Sequence, residues 1–235
     1  MRPASSMLRV CGAVLVATLA TVGGGCDANQ VISRAALVND LAARLDHAGQ
    51  LTYTADYQLP GGARATIAQA QSPLRAAYTF PGGKVMITAD LTADCRATGT
   101  AMTCTLTPPP SPGTDSTIGL LTAVGGAADS AGVVSPTLVV SLLTAASLDS
   151  NAVISQHDTT IAGEHATCVD VSGVDNAAAS AFTACITVGG VLGSFRGTVD
   201  GVPVEISMTG LRDAVAENAF DLPAGARIVD RRPHR

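Results

Sequence analysis

The rhythm of its turns constrains this chain more than any other feature. Short runs of alternating or β-branched residues recur along it, and nearly every gap between them carries turn chemistry. LTYTADYQL (51–59) and ARATIAQAQ (63–71) flank Pro60-Gly61-Gly62, and LRAAYTF (74–80) and KVMITAD (84–90) flank Pro81-Gly82-Gly83. In the C-terminal half NAVISQHDTTIA, GEHATCVDVS and FTACITV lead to VLGSFRGTV and VPVEISMTGL, which meet at Asp200-Gly201. Asp-Gly between alternating runs is a strong hairpin signal, because both central residues of a tight type I′ turn need positive φ. Such a chain folds as antiparallel meanders.

Two stretches break the rhythm. From about Val31 to Ala48, Val38, Leu41, Leu45 and Ala48 share one helical face, with Arg34, Asp40 and Arg44 off it, and Gly49 is placed to end the helix in a left-handed turn. After the proline-rich loop TPPPSPGT (107–114), residues 116–148 carry a single charge, Asp129, among Ile, Leu and Val. Gly125-Gly126, Asp129 and Pro136 divide that stretch into pieces too short to cross a bilayer, which takes roughly 20 residues. We read two short apolar helices, the second capped by Ser135 with Pro136 in its first turn and running to about Ser147. Helices without a wide polar face either fill a core or cover a cavity.

The N-terminus reads as an export signal. Arg2 and Arg9 precede an apolar run, Val10 to Val22, of about 13 residues. Cys26 follows three glycines. If it is the first residue of the mature chain and is acylated, four cysteines remain, Cys95, Cys104, Cys168 and Cys185, enough for two bridges in an exported protein. The alternative is a secreted chain with an unpaired Cys26. Cys95 and Cys104 flank a Gly99 turn, and Cys168 and Cys185 lie on consecutive strand-like runs; these pairings are the simplest, although sequence leaves the other two open. The expected organisation is a signal over 1–25, a lipidated tether over 26–30, one domain over 31–230 and a basic tail over 231–235.

Without Arg2 and Arg9 the chain has 12 basic and 19 acidic residues, scattered except at the tail, which argues against a nucleic-acid partner. No nucleophile elbow, phosphate loop or metalloprotease helix occurs, and no cofactor or metal is implied. His157-Asp158 and Glu164-His165 are adjacent on strands, so their side chains point to opposite faces and form no dyad. His165 and Cys168 meet the same objection as metal ligands.

The segment around Cys26 resembles a bacterial lipobox, departing from it at Gly23, where that motif has an aliphatic residue. The order of elements, with GEHATCVDVS, TACITVGGVLGSFRGTVDGVPVEISMTG and NAFDLPAGARIVD, resembles the LolA-like lipoprotein-localisation superfamily, including the LppX and LprG type lipoproteins of actinobacteria. Phe220, Leu222, Pro223 and Gly225 match its Phe-x-Leu-Pro segment, which closes the domain. The resemblance implies an α+β fold: a strongly curved antiparallel half-barrel, an N-terminal amphipathic helix, and short apolar helices plugging the concave face. It implies a non-enzymatic lipoprotein on the outer face of the cell membrane, held through Cys26, that binds lipid or an acylated ligand. No pocket residue carries over from the family, whose pocket is defined by shape; Leu120, Leu121, Leu138 and Leu142, from the near-uncharged 116–148 segment, are the candidate cavity residues. An envelope sensor or protein-interaction lipoprotein is the alternative. A monomer is expected, with a protein partner possible.

Overall fold

The computed structural model describes residues 25–109, 125–129 and 132–233. Helix α1 (Gly25–His47) is followed by strands β1 (Tyr53–Gln58), β2 (Arg64–Gln71), β3 (Leu74–Phe80), β4 (Gly83–Ile87), β5 (Thr92–Thr98) and β6 (Ala101–Thr107). Residues 125–129 are helical, and α2 spans Pro136–Leu148. The chain then forms β7 (Val153–Ile161), β8 (Glu164–Ser172), β9 (Ala181–Thr187), β10 (Leu192–Val199), β11 (Val202–Arg212) and β12 (Arg227–Asp230).

The twelve strands among the described residues belong to one sheet, in the order β12-β6-β5-β4-β3-β2-β1-β11-β10-β9-β8-β7. Each neighbouring pair is antiparallel except β12, which runs parallel to β6. The two meanders read from the sequence meet where β1 pairs with β11. The sheet is curved and unclosed, an α+β half-barrel. Register shifts at Asp56/Tyr57 in β1 and at Leu192/Ser194 in β10 are irregularities of the kind that bend a strand and increase its twist.

The main core lies between one sheet face and the helices. Tyr53, Ala55 and Tyr57 of β1, Tyr78 of β3 and Phe195 of β10 are buried with Val38, Leu41 and Leu45 of α1 and Val139, Leu142 and Leu143 of α2. Thr54 and Asp56 alternate to the other face, where Thr54 Oγ1 donates to Ala214 O at 2.8 Å and Asp56 pairs with Arg212 at 2.8 Å. Tyr57 Oη donates to Leu192 O at 2.9 Å, so the phenol ties β1 to the end of β10 without leaving a buried hydroxyl unmet.

Two details of α1 correct the sequence reading. The helix begins at Gly25, earlier than the start near Val31 expected from the sequence. At the other end Gly49 does not make a left-handed cap. The chain tightens into a 3₁₀ turn, Ala48–Gln50, whose carbonyls are met by β2. Gln69 Nε2 donates to Ala48 O and Leu51 O, both at 2.9 Å, and Gln71 Nε2 donates to Gly49 O at 2.8 Å. Side chains from the sheet thus satisfy carbonyls that a glycine cap would otherwise have covered.

The outer face carries a smaller core of Ala68, Ala77, Met86, Cys95, Cys104 and Leu106, covered by residues 213–226. Phe220 is buried there with the Arg75 guanidinium 4.4 Å from its ring centroid, and Lys84, the only lysine of the chain, donates to Asp221 O at 2.6 Å. Leu222 packs against the same core, and Gly225 takes φ 72° before β12 reaches β6. The Phe-x-Leu-Pro segment therefore closes one end of the outer face. Cys95–Cys104 and Cys168–Cys185 are disulfides, each joining residues directly opposite on neighbouring strands.

Candidate functional site

The approach to α2 is organised by one carboxylate and one hydroxyl. Ser135 caps the helix, its Oγ accepting from Leu138 N at 3.1 Å. Asp129 in turn accepts from Ser135 N at 2.7 Å and from Ser135 Oγ at 2.8 Å, which fixes the turn between the 125–129 helix and α2. Val133 N adds a bond to Ala128 O at 3.1 Å. Burial pushes the Asp129 carboxyl up to about 6, although both Ser135 bonds act to lower it. The buried phenol of Tyr78 is raised mainly by burial and in part by the nearby Asp129 charge.

A cavity of about 350 Å³ lies against this turn. One wall is Val133, Val134 and Leu138; the other is Val199, Val202 and Val204 of the β10–β11 hairpin, with Asp129 and Asp200 as the ionisable groups. The hairpin tip is built by Asp200 and Gly201 at φ 49° and 82°, the left-handed pair that a type I′ turn requires. Asp200 N donates to Ala178 O at 2.8 Å, anchoring the tip to the loop after β8. A volume of this size falls within the range of small-ligand sites, and its aliphatic walls suit a hydrocarbon chain.

The candidate leucines separate. Leu138 lines the cavity, whereas Leu142 is 2% exposed inside the main core and is a packing residue. Both were read from the near-uncharged 116–148 segment and, four residues apart, share one face of α2; Leu142 is enclosed by the main core, while Leu138 packs at its margin and reaches the cavity. Leu120 and Leu121 lie outside the described residues. Val199, Val202 and Val204 carry no site signal in the sequence, since alternating valines are what any strand shows. What could have pointed to them is the Asp-Gly turn, which brings both strands of the hairpin to one place.

A second pocket, of about 370 Å³, opens on the outer face between the sheet and residues 216–219, with Thr54, Asp56, Thr66, Thr79, Lys84 and Arg212 around it. It is slightly larger, but its alanines, Ala68, Ala216 and Ala219, are interspersed with polar groups and the Asp56–Arg212 ion pair, so it has no continuous aliphatic wall. His157 lies 3.3 Å from Asp170 across the exposed face of β7 and β8, with both side chains about half exposed, and His165 is exposed. Among the described residues no three His, Cys, Asp or Glu side chains converge as metal ligands, and no helix is long and apolar enough to cross a membrane.

No family model and no curated protein matches the chain. Solved structures do. The crystal structure of MucB superposes with a TM-score of 0.51 at 15% identity, over 83% of this chain and 66% of MucB. The likeness is one of fold. MucB in complex with MucA(peri) gives 0.42 at 13% identity, over 82% and 61%, and an uncharacterized conserved protein from Thermus thermophilus gives 0.45 at 11% identity, over 83% and 99%. The chain thus spans just under two thirds of MucB. The superposition on MucB supports the half-barrel fold expected from the sequence, and the two disulfides agree with an extracytoplasmic location.

Proposed function

We propose that this protein is a membrane-anchored extracytoplasmic lipoprotein that binds the hydrocarbon chain of a lipid in the cavity beside α2, without catalysing a reaction on it. Residues 1–25 are its signal and Cys26 its acylated first residue. The observation that carries the reading is the aliphatic cavity of about 350 Å³ between Leu138 and the β10–β11 valines. At about 0.8 kcal/mol per buried methylene, a run of about ten supplies about 8 kcal/mol before ordering costs, so hydrocarbon alone gives useful affinity. Leu138→Trp fills the cavity from a half-buried position and is expected to abolish lipid uptake while the fold remains. Lipid uptake equal to that of the unsubstituted chain would contradict the reading.

A second reading keeps the fold and uses its edge. Strand β7, nine residues long, ends the sheet and has no further strand beside it among the described residues. Such an edge can accept a strand from another protein, and MucB has been solved with MucA(peri). Specific recovery of one protein partner with a lipid-free chain would favour this role.

A further inference from the structure

We propose that the cavity beside α2 selects chains whose polar end is uncharged or cationic, and rejects ionised carboxylates and phosphates, through Asp129 and Asp200 in its lining. The inference rests on the hydrocarbon-binding reading above and names the class of head group that goes with it. Both ionisable groups on the described lining are carboxylates, one from each wall; no Lys, Arg or His is among them. Cations on adjoining elements are already engaged. Arg96 donates to Asp94 at 2.6 Å and to Ala127 O at 3.1 Å, and Arg196 of β10 donates to Glu205 at 2.6 Å. A chain lying along the valines has a carboxylate on either wall, the half-buried Asp129 and the exposed Asp200.

The head group decides what happens there. An anion meets two like charges, one of them in partly desolvated surroundings where repulsion is least screened. A hydroxyl instead donates to a carboxylate oxygen, and an ammonium pairs with it. Asp129 retains capacity for this, since a carboxylate has about four acceptor positions and Ser135 uses two. Among the described residues Asp200 is held through its backbone, Asp200 N donating to Ala178 O, so its carboxylate can turn toward a ligand without loosening the hairpin.

The test uses the full chain carrying Cys26→Ala, so that no anchor competes for the cavity, titrated calorimetrically at low salt and about pH 8 with dodecan-1-ol, dodecylammonium and dodecanoate, the last ionised under those conditions. The three share one hydrocarbon chain, so differences report the head. Dodecanol and dodecylammonium are expected to bind about tenfold or more tighter than dodecanoate, with the gap narrowing as salt is added. Asp200→Asn keeps a residue tolerant of the left-handed turn and is expected to raise dodecanoate affinity severalfold, narrowing its gap to dodecanol. Dodecanoate binding as tightly as dodecanol, or a gap that survives Asp129→Asn and Asp200→Asn together, overturns the selectivity but leaves hydrocarbon binding standing. Failure of all three to bind removes hydrocarbon binding itself, and the selectivity with it.

Discussion

Asp129 couples the cavity wall to stability. Its carboxyl is held up at about 6 by burial, so the folded chain binds that proton more tightly than the unfolded chain, where an aspartate titrates near about 3.9. The stabilisation is complete below the unfolded value and is lost as pH rises through about 6. Asp129→Asn cannot titrate. Urea unfolding of both proteins is therefore expected to show the wild type gaining about 2 kcal/mol on the variant between about pH 7.5 and about pH 4.5. A constant difference across that range would mean that the carboxyl is not buried as described. In the sequence Asp129 stands out as the one charge in 116–148. Its partnership with Ser135, six residues on, depends on the fold of the turn, which neither residue announces.

Among the elements, α1 docks against the sheet through the turn after β9. A Cβ on Gly190, at φ 88°, would lie 2.5 Å from Arg44 O in the last turn of α1. Gly190→Ala is expected to cost about 2 to 4 kcal/mol, because strained backbone and a clash with a carbonyl coincide. Gly189→Ala, whose Cβ would meet only Thr187 Oγ1 at 3.9 Å, should be within about 0.5 kcal/mol of wild type in the same thermal unfolding series. The two bridges act at this scale as well. They close segments with sequence separations of 9 and 17, worth about 3 kcal/mol each on a chain-entropy basis. Cys168→Ala with Cys185→Ala should lower stability by about that amount, whereas an unchanged denaturation midpoint would show the bridge to be incidental. The strand pairs were legible because their turns are written in Pro-Gly-Gly and Asp-Gly, and α2 because Ser135-Pro136 opens it. The end of α1 was not, because its carbonyls are met by Gln69 and Gln71, which sit about 20 residues away on β2.

For the whole molecule, local patterns gave the two meanders but could not say how they join. That β1 pairs with β11, across some 150 residues, follows from the closure of the core around α1 and α2. The parallel pairing of β12 with β6 was also hidden, since RIVD is too short to declare a partner; Phe220 and Lys84 bring it there by fastening the preceding segment to the outer face. The half-barrel leaves its aliphatic cavity at the helix-covered side, and the anchor proposed at Cys26 is tested separately. Cys26→Ala should release the chain from the membrane or leave it unprocessed, seen by fractionation and intact mass; a processed, membrane-retained form would contradict acylation at Cys26. The central claim is that hydrocarbon occupies the cavity beside Leu138. Its most direct test is native mass spectrometry of the chain purified from its own host, beside Leu138→Trp. The account predicts near-stoichiometric lipid on the first and none on the second. A lipid-free wild-type chain, or equal lipid on both, would contradict it.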